Sequence, residues 1–178
     1  MRCSVFIAAS LDGFIARSDG GIDWLPADQE SGEDYGFLSF FASVDAMVIG
    51  RKTYEVARSF AQWPYGERSV SVLSSSYPDP GVALSRTVTG TSASPEKLVR
   101  FLSSHGVRRV YVDGGKTIQS FLRAGLIHDM TIARVPVLLG EGIPLFGGTG
   151  KDIGLRHVET TSYPNGLVQS RYDVLSSR

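Results

Sequence analysis

Val110-Tyr111-Val112, running into Asp113-Gly114-Gly115-Lys116-Thr117-Ile118, constrains this chain more than any other stretch. Three consecutive β-branched or aromatic residues predict a buried strand, and two glycines end it. From Lys116 to Leu122, the residues Ile118, Phe121 and Leu122 recur at helical spacing. A strand that turns through Gly-Gly into a helix leaves the first helical N–H groups unpaired. Those donors and the helix dipole attract phosphate. With no side chains there, another molecule can approach the backbone closely.

The same strand-to-helix alternation recurs along the chain. Ser4 to Ser10 predicts a strand, and Leu11 to Ala16 a loop that continues to Asp19-Gly20-Gly21, a tight-turn signal, and Trp24-Leu25-Pro26. Asp34 to Ala42 predicts a helix with Phe37, Leu38, Phe40 and Phe41 on a broad apolar face. Ala46 to Gly50 predicts a strand, Arg51 to Phe60 a helix, Val70 to Leu73 a strand, and Val82 to Leu84 a short strand after the turn cluster Tyr77 to Gly81. Ser94-Pro95 is a helix start, a hydroxyl cap before proline, and Gly106 ends that helix. Met130 to Val135 predicts a further strand and Leu138 to Phe146 a Gly- and Pro-rich loop. Leu155 to Thr161 and Leu167 to Leu175 alternate in character around Pro164-Asn165-Gly166, which predicts a hairpin. The expectation is an α/β fold. It has a mixed, mostly parallel central sheet flanked by helices, with an antiparallel hairpin at the C-terminal end. No linker or repeat divides the 178 residues, so 1–178 is expected to be one domain.

Composition removes several function classes. Eighteen basic residues balance eighteen acidic ones with no block of one sign, which argues against nucleic-acid or membrane-surface partners. Cys3 is the single cysteine, and His105, His128 and His157 are scattered, so neither a disulfide nor a metal site is expected. No run reaches the length of a membrane span, and Met1-Arg2 leads straight into a strand, so a cytoplasmic protein is the expectation.

In an open α/β sheet, ligands bind beyond the carboxyl ends of the strands. Three predicted strands end suggestively. Ile49 runs into Gly50-Arg51-Lys52-Thr53, Leu73 into Ser74-Ser75-Ser76, and Val112 into Asp113-Gly114-Gly115-Lys116-Thr117. Small residues, hydroxyls and cations at helix starts suit a ligand with several phosphates. Taken singly, Arg51 and Lys52 could be solvated charges, and the serines a turn.

These stretches, with Ala9-Ser10-Leu11-Asp12-Gly13-Phe14-Ile15-Ala16, Trp63-Pro64-Tyr65-Gly66 and Val135-Pro136-Val137-Leu138-Leu139-Gly140-Glu141-Gly142, occur in an order that resembles the dihydrofolate reductase superfamily. The resemblance is to the branch shared with the C-terminal domain of bacterial riboflavin-biosynthesis reductases, and it spans nearly the whole chain. It implies NADPH as hydride donor. Ala9 and Ile15 would flank the nicotinamide. Gly50, Arg51, Lys52 and Thr53 would meet phosphates. Leu73, Ser74 and Ser75 would hold the adenosine half near its 2′-phosphate. Gly114, Gly115, Lys116, Thr117 and Ile118 would hold the pyrophosphate, with a cis Gly114–Gly115 peptide as is common in the superfamily.

On the substrate side, the resemblance implies Asp34 as the carboxylate that holds and protonates a heterocycle, with Asp28 and Glu33 as competitors. Trp24 and Leu38 would line the pocket, and Arg68 stands where the folate enzymes carry an arginine for a substrate carboxylate. The Leu-Asp-Gly-Phe-Ile-Ala loop follows the riboflavin-type pattern. Yet Phe40-Phe41-Ala42-Ser43 lacks the arginine which that branch places late in the first helix. The implied activity is hydride transfer to a C=N or similar bond in a pterin- or pyrimidine-like heterocycle. The alternatives are a riboflavin-pathway 5-amino-6-(5-phosphoribosylamino)uracil reductase and a non-catalytic NADPH-binding protein. The branch also implies a homodimer, with Ile132 to Leu139 as an interface segment.

Overall fold

A computed structural model of the protein describes residues 1–26, 33–76, 84 and 86–175. Asp28 and most of the expected Val82–Leu84 strand lie outside the described residues. Ten strands are described: β1 (Arg2–Ser10), β2 (Phe14–Ala16), β3 (Ala46–Gly50), β4 (Ser69–Leu73), β5 (Val88–Thr91), β6 (Arg109–Asp113), β7 (Asp129–Val135), β8 (Ile143–Pro144), β9 (Leu155–Ser162) and β10 (Val168–Val174). The helices are α1 (Phe37–Ala42), α2 (Arg51–Ser59), α3 (Pro95–Ser104) and α4 (Gly115–Arg123). Eight strands form one sheet in the order β5-β4-β3-β6-β1-β7-β10-β9, and β2 pairs with β8 separately. From β5 to β7 every neighbour is parallel, and β10 and β9 add antiparallel strands at one side. This is the expected mixed, mostly parallel architecture of the dihydrofolate-reductase type.

Side chains alternate between the two faces of the sheet, as the pleat requires. On one face Cys3, Val5, Val48, Val110 and Val112 pack against Leu98 and Leu102 of α3 and Ile118, Phe121 and Leu122 of α4. On the other, Met47, Ile49, Val70, Val72 and Tyr111 pack against Tyr54 and Ala57 of α2 and the phenylalanines of α1. Each buried α4 anchor contributes roughly 1.5–3 kcal/mol of transfer free energy. The β-branched run of β6 is apolar on both sides because both faces are covered.

Three local expectations change. The first helix begins at Phe37 rather than Asp34, because Tyr35 (φ 53°) and Gly36 (φ 79°) adopt left-handed conformations that a helix cannot continue through. Val88–Thr91, not flagged by its composition, is a strand because β4 supplies its ladder. Ile132 to Val135 is not surface. It is the buried run of β7, held between β1 and β10, so the expected dimer segment is sheet interior over those residues.

Candidate active site

All the parallel strands end at the same edge. Gly50 lies beside Leu73, Ile49 beside Asp113, and Ser10 beside Val135. Between β6 and β1 the ladder covers only Arg2↔Arg109 to Ser4↔Tyr111. Beyond it the two strands part, and the Tyr111 hydroxyl donates to the Phe6 carbonyl across the opening at 2.7 Å. The sheet therefore has a cleft at its centre, on its carboxyl edge. Ala8 to Ser10 lie on one side of it and Asp113 to Gly115 on the other.

Two helices, α2 and α4, start on neighbouring strands at this edge, and neither start has a side-chain cap. Their approach depends on two glycines. A Cβ on Gly114 (φ +92°) would collide with Thr53 Oγ1, and one on Gly50 would lie 2.9 Å from Thr117 Oγ1. A Cβ on Gly115 would lie 2.8 Å from the Pro144 carbonyl and 3.2 Å from Ile15 Cδ1. Ile118 N–H donates to the Gly114 carbonyl, so the amides of Gly115, Lys116 and Thr117 are the helix donors left over. Lys52 and Lys116 are exposed beside these starts. The donor set, two positive helix ends and two ammonium groups, fits a pyrophosphate.

A second cluster forms where β3 and β4 end. Arg51 Nη1 donates to Ser76 Oγ at 3.2 Å, and the hydroxyls of Ser74 and Ser76 lie 3.4 Å apart. Ser75 is exposed and Leu73 half-buried beside them. Arg51 also lies 3.6 Å from Glu55. The expected phosphate-binding side chains of α2 and of the β4 end are thus brought together.

Three expectations need correction here. Ile118 is completely buried in the core, and its amide is bonded to Gly114, so it has nothing to offer a ligand. The Gly114–Gly115 peptide is trans, and the positive φ of Gly114 makes the turn instead. Ala9 is also completely buried, backbone included, so it presents no surface to a ligand. Ile15 sits where it was expected, half-buried against Gly115.

The carboxylates divide by environment. Asp34 caps α1: Oδ2 accepts from the Leu38 amide at 2.8 Å and Oδ1 from the Gly36 amide at 3.1 Å. Those two bonds, Leu38's first, hold its pKa below the ordinary carboxylate value. Asp113 is the opposite case. It ends β6 at the cleft, and its carboxylate takes the Gly114 amide at 2.7 Å. Burial outweighs that bond and pushes its pKa up to about 6, although part of the residue still meets solvent. A carboxyl titrating near neutrality in a cleft is a functional-site signature, and it belongs to Asp113 rather than Asp34. Its position, one residue before the two glycines, is the signal in the sequence that could have found it.

Arg68 does not reach the cleft edge. It precedes the first residue of β4, a five-residue strand, so roughly 16 Å of strand separates it from Leu73. Its guanidinium donates to the carbonyls of Phe41 and Val44 and lies 4.0 Å from the Phe41 ring centroid. That is a structural tie to the end of α1, not a free substrate ligand. Leu38 is 68% exposed on α1. Trp24 packs with Ala8, Tyr35, Val137 and Tyr163 around Ala133, Val135 and Leu167, and its buried indole N–H has no acceptor among the described residues.

The hairpin's part in this site was not legible in the sequence. β10 begins beside Arg134, so the Pro164-Asn165-Gly166 turn reaches the cleft edge. Tyr163 meets Tyr35 edge-on at 4.8 Å, and Asn165 Nδ2 donates to the Tyr35 hydroxyl at 2.7 Å. Away from the cleft, at the other end of the sheet, a cavity of about 400 Å³ is lined by Arg2, His128, Lys151, Arg156 and Asp173 among others.

The fold and the cleft define a protein of the dihydrofolate reductase superfamily. The family model described as RibD C-terminal domain matches residues 3–169, and the chain belongs to that family. The chain is 33% identical over 155 residues to the uncharacterized protein YwjB of Bacillus subtilis (strain 168), covering 85% of this chain and 86% of that one. It is 30% identical over 148 residues to the riboflavin biosynthesis protein RibD of Corynebacterium ammoniagenes, covering 76% of this chain but only 43% of that protein. A crystal structure from Shewanella sp. PV-4, provisionally assigned to riboflavin biosynthesis, superposes with a TM-score of 0.91 at 35% identity, over 98% of this chain and 99% of that one.

Proposed function

We propose that this protein is an NADPH-dependent reductase that delivers hydride to a C=N or similar bond of a pterin- or pyrimidine-like heterocycle. The observation that carries the reading is the parted β1–β6 edge, which sets the end of β1, Gly114–Gly115 and Asp113, its pKa pushed up to about 6, around one opening. NADPH would supply the hydride; the chain supplies binding, orientation and proton handling. The amides at the start of α4, with Lys116, and the start of α2, with Lys52 and Thr53, would hold the pyrophosphate. Arg51 with Ser74 and Ser75 would hold the extra phosphate. Ile15 would flank the nicotinamide. Asp113, its pKa pushed up to about 6 by burial, holds a proton below that pH far more readily than an ordinary carboxyl and can pass it to a ring nitrogen as hydride arrives. The unpaired indole N–H of Trp24 is a donor for the same heterocycle, since a buried donor without an acceptor is costly.

Family membership favours a second reading, the 5-amino-6-(5-phosphoribosylamino)uracil reductase of riboflavin synthesis. Charge favours the first. From Ser18 to Gly50 the chain has no Lys, Arg or His, but carries Asp19, Asp23, Asp28, Glu30, Glu33, Asp34 and Asp45. That stretch contains α1 and Trp24, and it suits an unphosphorylated heterocycle better than a sugar phosphate.

Steady-state NADPH oxidation with dihydrofolate, with the aminouracil ribosyl phosphate and with its dephosphorylated form tests both readings. Turnover is expected with an unphosphorylated heterocycle and with NADPH preferred over NADH by at least about tenfold, the equivalent of about 1.4 kcal/mol. Preference for the ribosyl phosphate would select the second reading. NADPH binding with no oxidation of any heterocycle would leave a binding protein without turnover.

A further inference from the structure

Asp12 lies on the exposed bend between β1 and β2, yet its carboxylate is fully engaged. Oδ1 accepts the Ser10 hydroxyl at 2.6 Å and the Leu139 amide at 3.2 Å, and Oδ2 accepts the Gly140 amide at 2.8 Å. Ser10 Oγ in turn accepts the Phe14 amide at 2.9 Å. One carboxylate thus ties two segments far apart in sequence, the bend after β1 and the loop after β7. Gly140 takes φ +77° to present its amide.

The tie continues toward the cleft. Leu11 N–H donates to the Val137 carbonyl and Leu145 N–H to the Gly13 carbonyl, both at 2.9 Å. β2 then pairs with β8, Phe14 beside Pro144 and Ala16 beside Ile143. The far side of this double-loop unit is what meets Gly115. Ile15 and the Pro144 carbonyl are the atoms that a Gly115 Cβ would strike. The unit therefore forms one wall of the opening at the start of α4. It stands apart from the cluster of Arg51, at the start of α2, and Ser74–Ser76, just after β4.

We infer that Asp12 is a positioning residue for the nicotinamide half of the bound cofactor. By clasping the 138–140 loop to the bend after β1, it fixes where Ile15 and Pro144 stand against Gly115. This rests on the cofactor reading above. It adds that affinity for the two halves of NADPH depends on different parts of the chain. Charge is essential to the clasp, because a carboxylate accepts at both oxygens whereas an amide presents N–H groups at one of them.

The test uses NADPH and adenosine 2′,5′-bisphosphate, which carries only the adenosine half, as probes of the wild type, Asp12→Ala and Asp12→Asn. In both variants NADPH is expected to bind at least about tenfold more weakly, with the bisphosphate unchanged within about twofold. Amide hydrogen exchange is expected to accelerate at Leu139 and Gly140 while β3 and α2 keep their protection. Equal weakening of both probes would mean that Asp12 supports the whole fold, and would overturn the assignment. NADPH affinity unchanged in Asp12→Ala would overturn it as well. If the wild type itself binds neither probe, the cofactor reading fails, and the positioning role falls with it. The wild-type titration separates that failure from the other two.

Discussion

Asp113→Asn should make the folded protein more stable while impairing it. In the folded chain the Asp113 carboxyl titrates at about 6 rather than 3.8, because burial disfavours its charge. Between those two values the folded protein holds a proton that the unfolded chain has released. Stability contributed by this group therefore falls as pH rises through that window and is level above it. Full burial would make the whole span worth about 3 kcal/mol. Asp113 keeps some solvent contact, which brings the expectation nearer about 2 kcal/mol. Asparagine still offers a carbonyl to the Gly114 amide and carries no charge to desolvate.

Urea unfolding of the two proteins across pH 4 to 8 should show them level within about 0.5 kcal/mol at pH 4, the variant then pulling ahead through pH 6 and staying about 1–2 kcal/mol more stable at pH 8. In a chain of this size that raises Tm by roughly 2–8 °C. Hydride transfer, once a substrate is in hand, should fall by about 10²-fold or more. A variant less stable than wild type at pH 8, or a difference that does not change with pH, would refute the reasoning.

Substitutions at two further positions test the rest of the reading. Gly114→Ala must place a side chain at φ +92° and against Thr53, so it should cost roughly 2–4 kcal/mol in urea unfolding and weaken NADPH binding; a loss below about 1 kcal/mol would show that the two helix starts can move apart freely. Asp34→Ala removes the acceptor for the Leu38 and Gly36 amides and should cost about 1 kcal/mol, with Asp34→Asn near wild type and NADPH affinity unchanged in both. Turnover cut about 10²-fold in Asp34→Asn but not in Asp113→Asn would return the proton-handling role to Asp34.

Much of this was legible in the sequence because it is local. The β-branched run of β6, the Ser94-Pro95 cap of α3 and the Pro164-Asn165-Gly166 turn each specify their conformation from neighbours in the chain. The groups gathered at the starts of α2 and α4 were legible too, since strand-to-helix turns place them without help from elsewhere. Val88–Thr91 was not, because a short run containing Gly90 becomes a strand only when β4 pairs with it. The environment of Asp34 was not legible for a related reason. Sequence places a carboxylate near a helix start, but whether it caps or titrates depends on which amides and how much solvent surround it.

The periodicities, the turns and hence the α/β alternation follow from local sequence alone, since hydrophobic spacing and glycine act within a few residues. The assembled sheet, by contrast, sets which carboxyl has its pKa raised, turns Arg68 toward α1 rather than the cleft, and brings Asp12 against a loop from beyond β7. Burial and hydrogen-bond partnership are properties of groups that meet from distant parts of the chain. Desolvation at Asp113 and the Leu139 and Gly140 amides on Asp12 come into being only when β1, β6 and β7 share one sheet.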